Sequence, residues 1–223
     1  SNVAVEAFND FLGLFGVTNH VAISIQEWPV GLQFLTLFVL GDFIQWNVHR
    51  LLHASPLLWE FHKVHHSVEE MGFAAHLRFH WMETIIYKTI QYLPLSMIGF
   101  GLSDFFILHI FTTAIGHLNH ANIRISYGPL KYLLNNPIMH TWHHAKELPK
   151  GKNGVNYGIT LSVWDYLFGS AYIPNEGKDE PLGFEGMEEF PKTLWDQLTY
   201  LPYKKSKINL SEIEQEKSPS LKR

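Results

Sequence analysis

Apolar residues along this chain gather in two blocks. The first, 28–41 (WPVGLQFLTLFVLG), opens a helix that runs on toward His53. The second, 92–116, is interrupted by only Asp104 and His109 among charged or titratable residues. Neither is an unbroken run of about 20 apolar residues, the length a membrane-spanning helix needs. Pro94, Gly99 and Gly101 predict that the second block bends back as a helical hairpin, with arms over 81–98 and 103–118. Ser103 or Asp104 is the expected N-cap of the second arm. Further upstream, 8–25 is apolar but broken by Gly13, Gly16 and Asn19, which suits an interfacial segment or the remnant of a membrane helix.

Polar signals divide the rest. The helix from about 30 ends near Ser55-Pro56, because proline disfavours helix in the residue before it. A short helix follows over 57–66, then an irregular stretch over 67–80. Residues 126–136 form a turn and a short element leading to Pro137, and Gly151, Gly154 and Gly158 mark a loop before the aromatic run TLSVWDYLFG at 160–169. From 203 the chain turns polar and reads as a flexible charged tail. The expected organisation is an N-terminal apolar segment (1–29), one helical domain (30–202) and the tail (203–223).

The polar positions with chemistry are histidines. Twelve of the fourteen fall in five clusters: His49 and His53; His62, His65 and His66; His76 and His80; His117 and His120; His140, His143 and His144. Residues three and four apart share a helix face, so each cluster is expected to aim its imidazoles at a common point. His20 stands alone and reads as structural. His109, within the hairpin, reads as core or substrate-channel lining. Asp42, seven residues before His49, shares its face and would accept an imidazole N–H or serve as a helix-end charge.

Charge and composition narrow the setting. A formal net charge of −4 gives no reason to expect nucleic acid, and the absence of cysteine removes disulfides, thiolate zinc sites and iron–sulfur clusters. No Lys or Arg precedes Arg50, and none falls between Lys88 and Arg124. By the positive-inside rule, the chain from Arg50 onward faces the cytoplasm, except for the hairpin. A soluble helical protein with two buried core helices is the alternative. The first residues are acidic and do not resemble a cleavable signal peptide. A start at Ser-Asn rather than Met suits a processed or truncated chain with a membrane helix upstream.

Ligand count then selects the chemistry. Four clusters (49/53, 62/65/66, 117/120, 140/143/144) offer ten imidazoles, which overfill two tetrahedral zincs. Two octahedral ions would each take about five and keep one position open, as O2 activation requires. A zinc hydrolase remains an alternative without its usual signature: Arg50, Lys63, Leu77, Leu118 and Thr141 stand where H-E-x-x-H places its glutamate. A non-catalytic metal-binding or transport protein of the membrane is the third reading.

The run HRLLHASPLLWEFHKVHHS at 49–67 resembles the signature of the fatty acid hydroxylase/sterol desaturase superfamily of membrane-bound non-haem diiron enzymes. The similarity continues in LRFHWMET (77–84), GHLNHANIR (116–124), NPIMHTWHH (136–144), NYGITLSVWDYLFG (156–169) and GFEGMEEFPKTLWDQL. It implies an all-α integral membrane protein whose helical, histidine-rich diiron core caps a few membrane helices from the cytoplasmic side. It implies iron ligands at His49, His53, His62, His65, His66, His117, His120, His140, His143 and His144. His76, His80, Asp42, Glu83 and Asp165 are expected to ligate or to hydrogen-bond a ligand; the family's usual proline after His80 is Trp81 here. Tyr157, Trp164 and Phe168 are read as packing around the histidines. The implied reaction is O2-dependent hydroxylation or desaturation of a lipid C–H bond at two Fe ions. The implied partners are the membrane, a lipid substrate entering through the hairpin, and a separate electron donor (a cytochrome or ferredoxin with its reductase).

Overall fold

A computed structural model describes residues 25–177 and 179–201, with Asp10, Gly13 and Leu14 ahead of them. The expectations for His20, the charged tail and most of the N-terminal segment lie outside the described residues. What is described is all-helical, with two isolated bridges (Leu134 to Leu161, Ala145 to Leu182) and no strand.

Local chemistry accounts for the element boundaries. Helix α1 (Val30–Ala54) ends at Ser55 because Pro56 follows, and Ser55 then caps α2 (Pro56–His66), its hydroxyl accepting from Leu58 N. A 3₁₀ turn over Phe73–Leu77 leads to α3 (Trp81–Ser96), whose N-cap is His80. Helix α4 (Leu102–His120) completes the expected hairpin. Its N-cap is Gly101 rather than Ser103 or Asp104: Asp104 sits one turn inside and reaches back to accept Gly101 N–H at 2.8 Å. Helix α5 (Pro137–His143) pairs a proline at its first position with Asn136, whose side chain accepts from Met139 N. Two five-residue helices, α6 (Val163–Leu167) and α7 (Leu194–Leu198), follow.

Helix α1 packs against α2 and α3, and α4 against α5. The main apolar core joins Ile25, Leu37, Leu95, Phe100, Phe105 and Leu108 at the hairpin end. Gly41 makes this packing close, since a Cβ there would stand 2.7 Å from Leu108 Cδ2. The other half of α1 is polar inside: its buried residues include Asp42, His49 and His53.

No helix among the described residues is long and apolar enough to cross a membrane. The physical reason differs between helices. Helix α1 has 25 residues, about 37 Å at 1.5 Å per residue, but its second half turns polar groups inward. Helix α3, with 16 residues, is too short for a hydrocarbon core of about 30 Å. The expected spanning helices are thus not found, although apolar side chains do cover the outside. Leu32, Phe34 and Leu35 on α1, Ile85 and Ile90 on α3, and Phe106, Ile107, Ile110 and Phe111 on α4 are all exposed.

Two buried carboxylates tie α1 to the C-terminal half. Asp42 accepts from Trp164 Nε1 at 2.9 Å and from Leu161 N. Asp165 accepts from Trp46 Nε1, Tyr157 N, Gly158 N and Ser170 Oγ, all at 2.7–2.9 Å. Neither hydrogen-bonds an imidazole. Asp165→Ala would strand four donors in a dry interior and is expected to cost about 3 kcal/mol or more of unfolding free energy. Ser170→Ala, which removes one donor, should cost about 1 kcal/mol. Denaturant unfolding of both variants checks the difference; equal effects would contradict the role of Asp165 as a hub.

Candidate metal centre

Nine imidazoles meet in the interior between α1, α2, α4 and α5, and they form two groups. His49, His53, His62, His66 and His143 make the first; His65, His120, His140 and His144 make the second. Within each group the ligand-capable nitrogens lie within 4.8 Å of one another, and all nine residues are buried.

Neither histidine triplet aims at one point. His62 and His66 join the first group while His65 joins the second; His140 and His144 join the second while His143 joins the first. Helix geometry explains the split. At about 100° per residue, i+4 lies about 40° from i and i+3 about 60° to the other side. The last two histidines of H-x-x-H-H are therefore about 100° apart, and the first goes with the nearer one. A single triplet thus straddles two adjacent sites.

Hydrogen bonds fix the ring tautomers. The Nδ1–H of His49 donates to Tyr157 O at 2.7 Å, that of His53 to Asn153 O at 3.2 Å and that of His143 to Val155 O at 2.8 Å. These acceptors are alternate residues of one segment. Helix-internal and neighbouring carbonyls serve the second group: His120 Nδ1–H donates to Gly116 O at 2.7 Å and His65 Nδ1–H to Arg78 O at 3.2 Å. His62 Nδ1–H donates to Glu83 Oε1 at 2.8 Å. With the proton on Nδ1, each of these six rings presents a bare Nε2 lone pair inward.

Those lone pairs face each other. His49 Nε2 and His62 Nε2 are 3.2 Å apart, and His65 Nε2 and His120 Nε2 are 3.1 Å apart. Two bare nitrogens cannot share a hydrogen bond, and their repulsion at this distance calls for a cation between them. Two imidazoles bound at right angles about 2.1 Å from a metal would have nitrogens about 3.0 Å apart. The Nε2 atoms of His53, His66 and His143 are buried with no partner at all. The residues present therefore fit two metal ions with nitrogen ligands.

The scaffold for the first group is the segment 153–158. Asn156, at φ 51°, holds it by donating to Met139 O and Tyr172 O and accepting from Tyr172 N. Gly154 has no room for a side chain, since a Cβ would lie 2.7 Å from the Tyr157 hydroxyl and 2.9 Å from His53 Nδ1. Asp165 acts here at one remove: it binds Tyr157 N–H, and the Tyr157 carbonyl orients His49. Sequence reasoning took this segment as a loop, with Tyr157 as packing, and missed the backbone carbonyls, because a carbonyl carries no side-chain signature. The crowded glycines were its one available signal.

The remaining expected residues are placed apart. His117 is half-buried, stacks on Phe73 and donates Nδ1–H to Phe73 O at 2.7 Å, outside both groups. His76 packs its ring against Gly116, 4.9 Å from the His120 ring centre, and its Nδ1 has no partner. His80 spends both nitrogens on the backbone, accepting from Met82 N and donating to Tyr200 O. Beside the two groups lies a cavity of about 280 Å³, reached by His49, His62 and His65 and walled by α3 and α4. His109 lines it, as does Glu83.

Burial, followed by the repulsion of neighbouring imidazoles, holds His62, His66, His140, His143 and His144 well below the ordinary histidine pKa of 6.5. They are neutral near pH 7, the form that binds metal.

Comparison with known proteins follows this geometry. The Fatty acid hydroxylase family profile matches residues 34–170. The chain is similar to an ornithine lipid hydroxylase of Rhizobium tropici, 34% identical over 161 residues, 72% of this chain and 48% of that protein. It is 29% identical to human alkylglycerol monooxygenase over 67% of this chain and 33% of that one. A Delta(7)-sterol 5(6)-desaturase of Aspergillus fumigatus is 30% identical over 69% of this chain and 42% of that protein. The chain thus spans between a third and a half of these relatives. No solved structure matches.

The tautomers and burial predict how the metal-free protein responds to pH. Above 6.5 these imidazoles are neutral whether folded or unfolded and contribute no pH dependence. As pH falls through 6.5, the unfolded chain takes up protons that the folded chain refuses, so stability is lost. Thermal unfolding of chelator-treated protein should therefore show Tm falling steadily from pH 7 to pH 5. A flat profile would mean that the imidazoles are solvated.

Proposed function

This chain belongs to the fatty acid hydroxylase family, and from that premise we propose that it oxidises a lipid C–H bond with O2 at two iron ions held by the two histidine groups. The observation that carries the metal reading is the set of inward-facing lone pairs, His49 against His62 and His65 against His120. Nitrogen ligands without thiolates suit iron among several metals, and five plus four imidazoles exceed what two tetrahedral zincs use. When bound, the iron pair would supply the electrons and oxidising power that O2 needs to break an unactivated C–H bond.

The chain's own residues do the rest. Asn153, Val155 and Tyr157 carbonyls hold three imidazoles in the Nδ1–H tautomer, and Glu83 holds His62. Burial of all nine rings excludes bulk water from the reaction. The adjoining cavity, walled by α3 and α4, would place the substrate chain against His49, His62 and His65. Both hydroxylation and desaturation are represented in the names of similar proteins, and their substrates are lipids.

Membrane binding is part of the proposal. The exposed apolar side chains of α1, α3 and α4 are the surface that suits contact with a bilayer. They would enter a bilayer, with the histidine core on the cytoplasmic side and a separate cytochrome or ferredoxin system delivering electrons. Zinc hydrolysis is the competing reading, because Glu83 Oε2 is buried beside the centre without a partner and is the carboxylate a hydrolase would use as base.

Metal analysis of the detergent-purified chain, expressed with iron supplied, tests the proposal. About two irons per chain are expected, one for each group. His140→Ala with His144→Ala removes half of the second group and should lower the content to about one. Lipid products formed under ¹⁸O₂ with a chemical or enzymatic reductant should carry the label. One tightly held zinc, no iron and no label would overturn the oxygenase reading in favour of hydrolysis.

A further inference from the structure

The cavity beside the histidine core contains a cation that the metal chemistry does not use. Lys88 on α3 and His109 on α4 meet across its wall, Nζ donating to Nδ1 at 3.0 Å. The other contact of Lys88 is the face of Tyr92, 5.0 Å from Nζ. The ion pairs among the described residues are His62 with Glu83, Lys63 with Glu60, and Lys146 with Glu188, so Lys88 has no carboxylate partner. Glu83, the one acid lining the cavity, is tied to His62 at its inner end.

An ammonium partly withdrawn from water between apolar helices is costly unless an anion or several acceptors meet it. A lysine near such helices ordinarily extends its head outward to water. Lys88 is half-buried, lines the cavity and turns onto the exposed His109 at its wall. Because His109 Nδ1 accepts from the ammonium, its proton is on Nε2, and the pair together offers several N–H donors and no free acceptor. That is the donor pattern for an oxyanion.

We propose that Lys88 and His109 bind the anionic oxygen group, a carboxylate or a phosphate, of the lipid that enters this cavity. The inference rests on the reading of the cavity as the substrate site. It narrows the substrate to lipids with a negative charge. Lys88 lies five positions after Glu83 on α3, about 7.5 Å along the helix axis, and Glu83 touches the metal-facing His62. The anion site thus lies less than two helical turns along α3 from the residue that touches His62.

Binding of decanoate, decyl phosphate and decanol to the iron-loaded full chain in maltoside micelles tests this, by calorimetry with protein-free micelles subtracted. At least one anion is expected to bind about ten-fold or more tightly than decanol. The tighter of the two anions identifies the head group as carboxylate or phosphate. Lys88→Met should remove the preference, and Lys88→Arg should keep it. No preference in the wild-type chain, or an undiminished preference in Lys88→Met, would overturn the proposal. If Lys88→Met does not fold, His109→Gln, expected to weaken the preference, and the wild-type comparison still decide. An anion preference in a chain that incorporates no ¹⁸O would sink the oxygenase reading and leave this one standing; label without preference would do the reverse.

Discussion

Nine imidazoles share one buried space, six of them present bare nitrogen lone pairs inward, and four of those six face each other in pairs. Such an interior has no hydrophobic rationale. Lone pairs about 3 Å apart repel, and none of these rings gains much from burial. The residues fit cations at the centre of each group, and a metal bound there would couple its binding to folding. The low proton affinity of the rings follows from the same burial. It would serve that coupling, since a neutral imidazole is both the less costly group to bury and the ligand.

Holding rings in that unfavourable arrangement requires a rigid outer layer, and the backbone supplies most of it. The segment 153–158 offers three alternate carbonyls to three rings of the first group. It is itself pinned by Asn156 and by Asp165, which together fill their polar atoms with backbone partners. Asp165 also reaches Trp46 on α1, one turn before His49. The helix that carries His49 and His53 and the segment that orients their rings are thus fastened through a single carboxylate. Asp42 repeats the device four residues earlier through Trp164.

The same helices face outward with apolar side chains and inward with polar ones. Helix α1 changes character along its length, with apolar side chains exposed at Leu32, Phe34 and Leu35 and imidazoles buried at His49 and His53. The hairpin of α3 and α4 has a greasy exterior and a cavity wall carrying Lys88, His109, Thr112 and Thr113. This double character explains why no helix among the described residues meets the length and hydropathy of a membrane span although many of their outward side chains are apolar.

Much of this was legible in the chain itself. Histidines at helical spacing, with prolines and glycines between them, were enough to predict the helices, the hairpin and a buried gathering of imidazoles. Those features depend on local periodicity, which sequence carries directly. The partition of the histidines was not legible. Spacing alone suggested that His62, His65 and His66 converge, whereas the 100° offset between the last two sends them to different groups once α1, α4 and α5 supply partners on each side. His117 and His120 looked equivalent, yet only His120 faces the interior. Asp42 and Asp165 looked like imidazole partners and instead bind indoles and backbone amides, because long-range packing decides which donor reaches a buried carboxylate. By itself, then, the sequence determined which residues are helical and which side chains have ligand chemistry. The tertiary structure decided which of them share a centre, which carbonyls orient them and where Lys88 stands, since each of those depends on contacts between residues far apart along the chain.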